Sequence, residues 1–238
     1  MRKYQGINQI SKDVFRNNQE KVLDIEIGEN HQAKLLYYSK TEEEVTINVV
    51  LKKDAILDFD FVLLNQNSRI ELNVDIVGEG ANLEVGCLSL AKESNKYFNV
   101  NVIHNAPNSN SVVSNAGISF KEGHHNFNIN GTIKEKMAGS NARQLTKGLI
   151  LDETGSCKAL PILYIDNYDV KAYHGASIGK ISDEDLFYLM SRGLKKLEAF
   201  MLVINGLLEP FIKKIDDDEL KSEIISQYLT YFGEIKDE

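Results

Sequence analysis

Few residues in this chain have the means to do chemistry, and those few stand apart. His174 lies in "VKAYHGASIGKISDEDLFYLMSRGL" (residues 170–194), where a strand-like segment passes through a glycine-broken turn into a helix. Neutral imidazole is the commonest nitrogen ligand for metals and titrates near physiological pH. Two readings fit His174: a metal or proton-handling ligand, or a hydrogen bond securing the chain reversal. Cys157 sits in the polar stretch "TGSCKALP". A thiolate there suits iron and sulfur, and a small buried hydrophobe is the other reading. Cys87 alternates with Leu83 and Val85 in "LEVGCLSL" and is expected in the core. His104, before "NAPN", and His124–His125, in "KEGHHN", have no carboxylate or cysteine at ligand spacing and read as solvated turn histidines. His31 supports no argument.

Whole classes of chemistry have no signature here. There is no Walker A sequence, no GxGxxG after a strand, no GxSxG, no HExxH and no paired-cysteine metal spacing. Asp and Glu are plentiful, but nothing nominates one pair as acid and base. With 27 Lys and Arg against 35 Asp and Glu, the net charge of −8 argues against binding nucleic acid through a basic face. The longest apolar runs, such as "FMLVINGLL" (200–208), are far too short to span a bilayer. "MRKYQGINQISKDVF" lacks the apolar stretch of a secretory signal. Two free thiols in a cytoplasmic protein are therefore the expectation.

These residues must be positioned by the elements around them. Residues 1–22 carry mixed helical periodicity (Ile7, Ile10, Val14, Phe15) and read as an N-terminal capping segment. From 23 to 181 short β-rich pieces follow one another, including "VTINVVLK", "LDFDFVLL", "IELNVDIVG", "YFNVNVIH" and "NFNINGTI". Ile70, Leu72, Val74 and Ile76 alternate with Glu71, Asn73 and Asp75, the period of a strand with one buried face. Gly-, Asn-, Ser- and Asp-rich turns separate the pieces. Strands recurring without helices between them fit a β-sandwich or barrel, or a solenoid of stacked coils. The frequency of Asn at turns suits the solenoid.

The period changes over residues 182–238. Ser182 is a candidate N-cap with Asp185 three positions on, and Asp183, Glu184 and Asp185 fill a first helical turn. Leu186, Phe187, Leu189 and Met190 make an apolar stripe that reads as core or partner surface, and Gly193 is a plausible stop. A second helix ends near Pro210. A third begins in the solvated cluster Asp216–Asp217–Asp218–Glu219.

"LPILYIDNYDVKAYHGASIGKISDEDLFYLMSRGL" (160–194) resembles the C-terminal signature of the SufB/SufD family of iron–sulfur cluster assembly proteins. The matching positions are Pro161, Asp169–Val170, His174–Gly175–Ala176, Gly179–Lys180–Ile181, Leu186–Phe187–Tyr188–Leu189 and Ser191–Arg192–Gly193. "FNINGTIKEKMAGSNARQLTKGLIL" (127–151) and "VIHNAPNSNS" (102–111) are similar to earlier segments of the family. The resemblance implies a mainly β fold, with a right-handed parallel β-helix core (23–181) followed by a C-terminal α-helical domain (182–238). It also implies a non-ATPase scaffold that pairs through its β-helix and docks a SufC-like ABC ATPase on its terminal helices. An iron–sulfur cluster would then assemble transiently at the subunit interface rather than be tightly held.

By the same resemblance His174 matches the interface histidine of SufD-type members. Where SufB-type members have His-Glu, this chain has His174–Gly175. Their cysteine, six residues before the signature proline, falls here on Gly155, and Cys157 lies four before it. His174 and Cys157 are the expected nascent-cluster ligands, and Phe187, Tyr188 and Arg192 the expected ATPase contacts. The partner is a SufB-like chain or a second copy. The rival class is a β-solenoid carbohydrate-active enzyme with a groove of carboxylates and aromatics, although the absence of Trp removes the usual sugar-stacking side chain.

Overall fold

The computed structural model describes residues 1–16, 20–64 and 66–233. It forms two compact units, Met1–Gly179 and Lys180–Glu238. The first is all β: β1 (Arg2–Tyr4), β2 (Ile10–Arg16), β3 (Val22–Ile27), β4 (Gln32–Ser39), β5 (Glu43–Leu51), β6 (Ile56–Leu64), β7 (Ser68–Ile76), β8 (Asn82–Lys92), β9 (Asn95–His104), β10 (Asn110–Phe120), β11 (His124–Ile133), β12 (Asn141–Ile150), β13 (Ser156–Ile165) and β14 (Lys171–Gly179). Odd-numbered strands form one seven-stranded sheet and even-numbered strands a second. Every pairing is parallel. Each coil contributes one strand to each sheet, so the chain winds a β-solenoid, and the sandwich alternative is removed.

The alternation read from the sequence is the alternation between lumen and solvent. Val45, Ile47, Val49 and Leu51 lie in register with Ile70, Leu72, Val74 and Ile76, and all are buried. Phe15, Tyr37 and Phe61 follow one another up the second sheet, with Phe15–Tyr37 centroids at 6.2 Å and Tyr37–Phe61 at 5.6 Å. One turn position repeats in the left-handed region along the stack: Asn8, Asn30, Asp54, Gly80, Asn108 and Gly139 have φ of 58°, 54°, 53°, 74°, 54° and 72°. Asn, Asp and Gly tolerate that conformation best. It lets each turn hand its N–H to the next coil, as in Asn30 to the Lys53 carbonyl (2.9 Å) and Asn108 to the Ala138 carbonyl (2.9 Å).

On the solvent face of the first sheet, amides stack. Asn48 donates to Asp24, Asn73 to Asn48, Asn101 to Asn73, and Asn130 to Asn101, at 2.8–3.1 Å. Asn101 also donates to Glu71 at 2.8 Å. Asn101→Ala cuts this ladder in the middle. It is expected to cost about 1–2 kcal/mol, read as a lower urea midpoint at unchanged slope.

The helical periodicity of the first residues does not produce a helix. Residues 2–4 and 10–16 are the strands β1 and β2, because pairing with β3 and β4 satisfies their backbone and seats Phe15 on the aromatic stack. The second unit holds α1 (Asp183–Ser191), α2 (Lys196–Ile212) and α3 (Asp218–Gly233). Ser182 caps α1 by accepting from the Asp185 N–H at 3.0 Å and donating to its carboxylate at 2.6 Å. Gly193 ends the turn at φ 99°. Ala199, Ile204 and Leu208 of α2 and Leu220, Ile224 and Tyr228 of α3 are buried.

Candidate functional site

The last coil is where the candidate ligands stand. β13 and β14 end their sheets, so each pairs on one side only. His174, on β14, is in register with Gln144 of β12, whose side chain is buried. By strand alternation His174 shares the lumen-facing row with Ala172, Ala176 and Ile178, yet all four are exposed because no further coil covers them. Leu160 and Tyr164 of β13 and Tyr173 and Ile178 of β14 are exposed on the same coil. Edge strands with bare apolar side chains are pairing surfaces unless something covers them.

Cys157 sits elsewhere on the same coil. It is on β13, in register with His125, and packs inward at 8 % exposure. Gly148 makes the room: a Cβ there would lie 2.5 Å from the Cys157 Sγ and 3.1 Å from Ile178 Cγ1. Burial pushes the thiol up to about 12. It therefore stays protonated at neutral pH and binds iron only by releasing its proton. Cys87 is in the core as expected. Among the described residues, no three His, Cys, Asp or Glu side chains meet as a metal site.

His104 and His125 are not solvated turn residues; both are wholly buried. Ser109 donates its hydroxyl to the Ala106 carbonyl, so it accepts from the His104 Nδ1–H at 2.7 Å, and Nε2 accepts from Ser111 at 2.8 Å. Ser119 donates to the Ser156 carbonyl and accepts from the His125 Nδ1–H at 2.7 Å, and Nε2 accepts from Ser89 at 2.9 Å. Each neutral ring is fully satisfied, and the physical reason is register. His104 alternates in step with Phe98, Val100 and Val102, and His125 with Phe127 and Ile129. The same parity puts Lys96 and Glu43 on lumen rows, two groups that belong to no motif. Glu43, Ser68, Lys96, His125 and Cys157 then form one column through successive coils. Position within the alternation was the signal that could have found them.

In the helical unit Phe187 is 74 % exposed, Tyr188 and Arg192 are also exposed, and the Arg192 guanidinium lies 5.3 Å from the Tyr188 ring centre. The stripe on α1 is thus largely open. Met201, Leu208 and Ile212 of α2 and Ile225, Tyr228 and Leu229 of α3 line an apolar groove of about 260 Å³. No helix among the described residues is long and apolar enough to cross a membrane. The carbohydrate alternative called for carboxylates and aromatics in one groove. A cleft beside β5, β7 and β9 holds Glu42, Glu43 and Glu44, but Tyr97, which also lines it, carries the Arg69 guanidinium 4.3 Å over its ring.

Residues 8–207 match the family model described as SUF system FeS cluster assembly, SufBD core domain. The chain is 31% identical over 176 residues to the iron–sulfur cluster assembly protein SufD of Bacillus subtilis, covering 73% of this chain and 40% of that protein. It is 29% identical over 175 residues to SufBD family proteins of Staphylococcus saprophyticus and Staphylococcus aureus, covering 71% of this chain and 38% of each. The chain spans about two fifths of the length of these curated relatives.

Proposed function

Since the chain belongs to the SufB/SufD family of iron–sulfur cluster assembly proteins, we propose that it is a non-ATPase scaffold subunit of a cytoplasmic SUF-type complex. It pairs through the open last coil of its solenoid with a SufB-like chain or a second copy, and its terminal helices (182–238) receive a SufC-like ABC ATPase. The observation that carries this reading is the last coil of the solenoid, whose strands β13 and β14 each pair on one side only. Two unpaired parallel edges, exposed Leu160, Tyr164 and Tyr173, and an imidazole at the rim ask for a partner.

His174 offers an imidazole to iron at that rim, and Cys157 offers a thiol just inside it. Two ligands from one chain leave a nascent cluster incomplete, so the remainder comes from the paired subunit. The cluster is cargo: it assembles at the interface and leaves. On α1, Phe187 and Tyr188 present apolar area and Arg192 a guanidinium stacked on Tyr188, a combination typical of contact surfaces. The groove between α2 and α3 extends the apolar area available to the ATPase.

The test is anaerobic co-expression with a SufC-like ATPase, copurification, and visible absorption after iron and sulfide are supplied. Expected is co-elution, with colour that His174→Ala weakens and with Phe187→Ala reducing ATPase recovery. Absence of co-elution would refute the docking. Full colour in His174→Ala would remove the histidine from the ligand set.

A further inference from the structure

An acidic cleft of about 550 Å³ opens where β4 and β6 turn into β5 and β7. Glu42, Glu43, Glu44 and Ser68 line it. Both oxygens of the Glu43 carboxylate and the hydroxyls of Ser68 and Ser94 are buried with no hydrogen-bond partner among the described residues. Ser68 and Ser94 are 4 % and 3 % exposed. Register stacks Glu43 on Ser68 and Ser68 on Lys96, and Ser94 lies at the start of the Lys96 coil. Unmet buried acceptors of this kind are costly, and a carboxylate without donors most of all.

The Glu43 carboxylate only accepts, and the Ser68 and Ser94 hydroxyls accept as well as donate, so a positively charged ligand with N–H donors complements the group. The resident cations do not supply it. Lys96 donates to the Gln66 carbonyl, and Arg69 is taken up by Glu44 at 4.0 Å and by the Tyr97 ring. A metal is a poor fit, because no three ligating side chains converge among the described residues. Acidity continues along the same edge: Glu93, Glu122 and His124 line a neighbouring cleft of about 500 Å³, and Asn95 lines both. We propose that this edge of the solenoid binds an organic cation, with a primary ammonium or guanidinium group seated on the Glu43 carboxylate and the Ser68 hydroxyl.

Burial raises Glu43 to about 7, while Lys96 beside it pulls the other way. Burial lowers Lys96 to about 7, so its amine is partly neutral and repels an incoming cation less. The groups facing Glu43 are Glu42 and Glu44 on its own segment, Arg69 on β7 and Lys96 on β9, with His125 one coil further. A cation prefers ionised Glu43, so binding weakens as pH falls below 7.

The experiment is calorimetric titration of the full chain, at fixed ionic strength, with spermidine and separately with a triarginine peptide. Saturable binding of one equivalent is expected. Glu43→Gln should weaken it by about tenfold, the loss of one charged hydrogen-bonding anchor, and should abolish its pH dependence. Glu29→Gln, which removes one exposed charge elsewhere, should change nothing. Ser68→Ala should weaken binding less, and circular dichroism should show all three variants folded. Tighter binding of spermidine would name a free polyamine as the source, and tighter binding of the peptide a basic segment of a protein. Equal weakening by Glu43→Gln and Glu29→Gln would reduce the effect to diffuse attraction by an acidic protein and overturn the site. No binding at all would assign ordered water to the four oxygens, with the same consequence.

Discussion

Taking the protein from pH 7 to pH 4.5 is expected to lower the stability of the solenoid by about 2–3 kcal/mol, with His104 and His125 as the cause. Burial holds His104 down near 4. Burial, helped by the charges of Lys96 and His124, holds His125 near 3. In the unfolded chain both titrate near 6.5. Below that value the unfolded state takes up protons that the native state refuses, so stability falls with pH until each folded value is reached. Glu43 opposes this. Raised to about 7, it gains its proton in the native state first and stabilises the fold between about 7 and 4.5. Two imidazoles outweigh one carboxyl. Urea unfolding at several pH values checks the balance: Glu43→Gln should steepen the acid loss and His125→Gln should flatten it. A wild-type stability that is level from pH 7 to 4.5 would show that these rings are not held neutral.

Gly123→Ala is expected to destabilise the solenoid by about 3 kcal/mol or more, because the site cannot accept one carbon. An added Cβ would fall inside the Ala91 carbonyl and 2.8 Å from the Phe120 oxygen, both backbone atoms that cannot rotate away. Gly123 carries the turn from β10 to β11, donating its N–H to Phe120 at 3.0 Å and accepting from Ser156 at 3.0 Å. To relieve the clash the coils must separate locally, which breaks these bonds and disturbs His125 two residues on. For a unit of this size the thermal midpoint should drop by about 6–12 °C. Gly179→Ala, where a Cβ meets nothing within 4 Å, is the control and should leave the midpoint in place. Equal midpoints for the two variants would mean that the coils are not packed as tightly as described.

Much of this protein is legible along the chain. The period of two in β5, β7, β9 and β11, the left-handed turn residues and the capping of α1 each depend on neighbours within a few positions. Local sterics and hydrogen bonding decide such features, so residue order carries them. The signature at 160–194 was legible as well, and it pointed to the family to which residues 8–207 are matched.

The register between coils was not legible, and it decided most of the rest. β10 has no row of large apolar groups to mark it as a strand, because its lumen side carries Ser111, Asn115 and Gly117 beside Val113. Such residues look like a turn until Val85, Cys87 and Ser89 are stacked beneath them. His104 and His125 looked solvated for the same reason, since their serine partners come mostly from other strands. Cys157 and His174 lie 17 positions apart in sequence, yet their surroundings come from Gly148, His125 and Gln144 on neighbouring coils. Residue order alone was enough to set which residues alternate, where the turns fall and where the helices begin. Which polar groups share the lumen depends on the stacking of the coils, because a solenoid sets side by side residues about 30 positions apart, a separation at which no local preference acts.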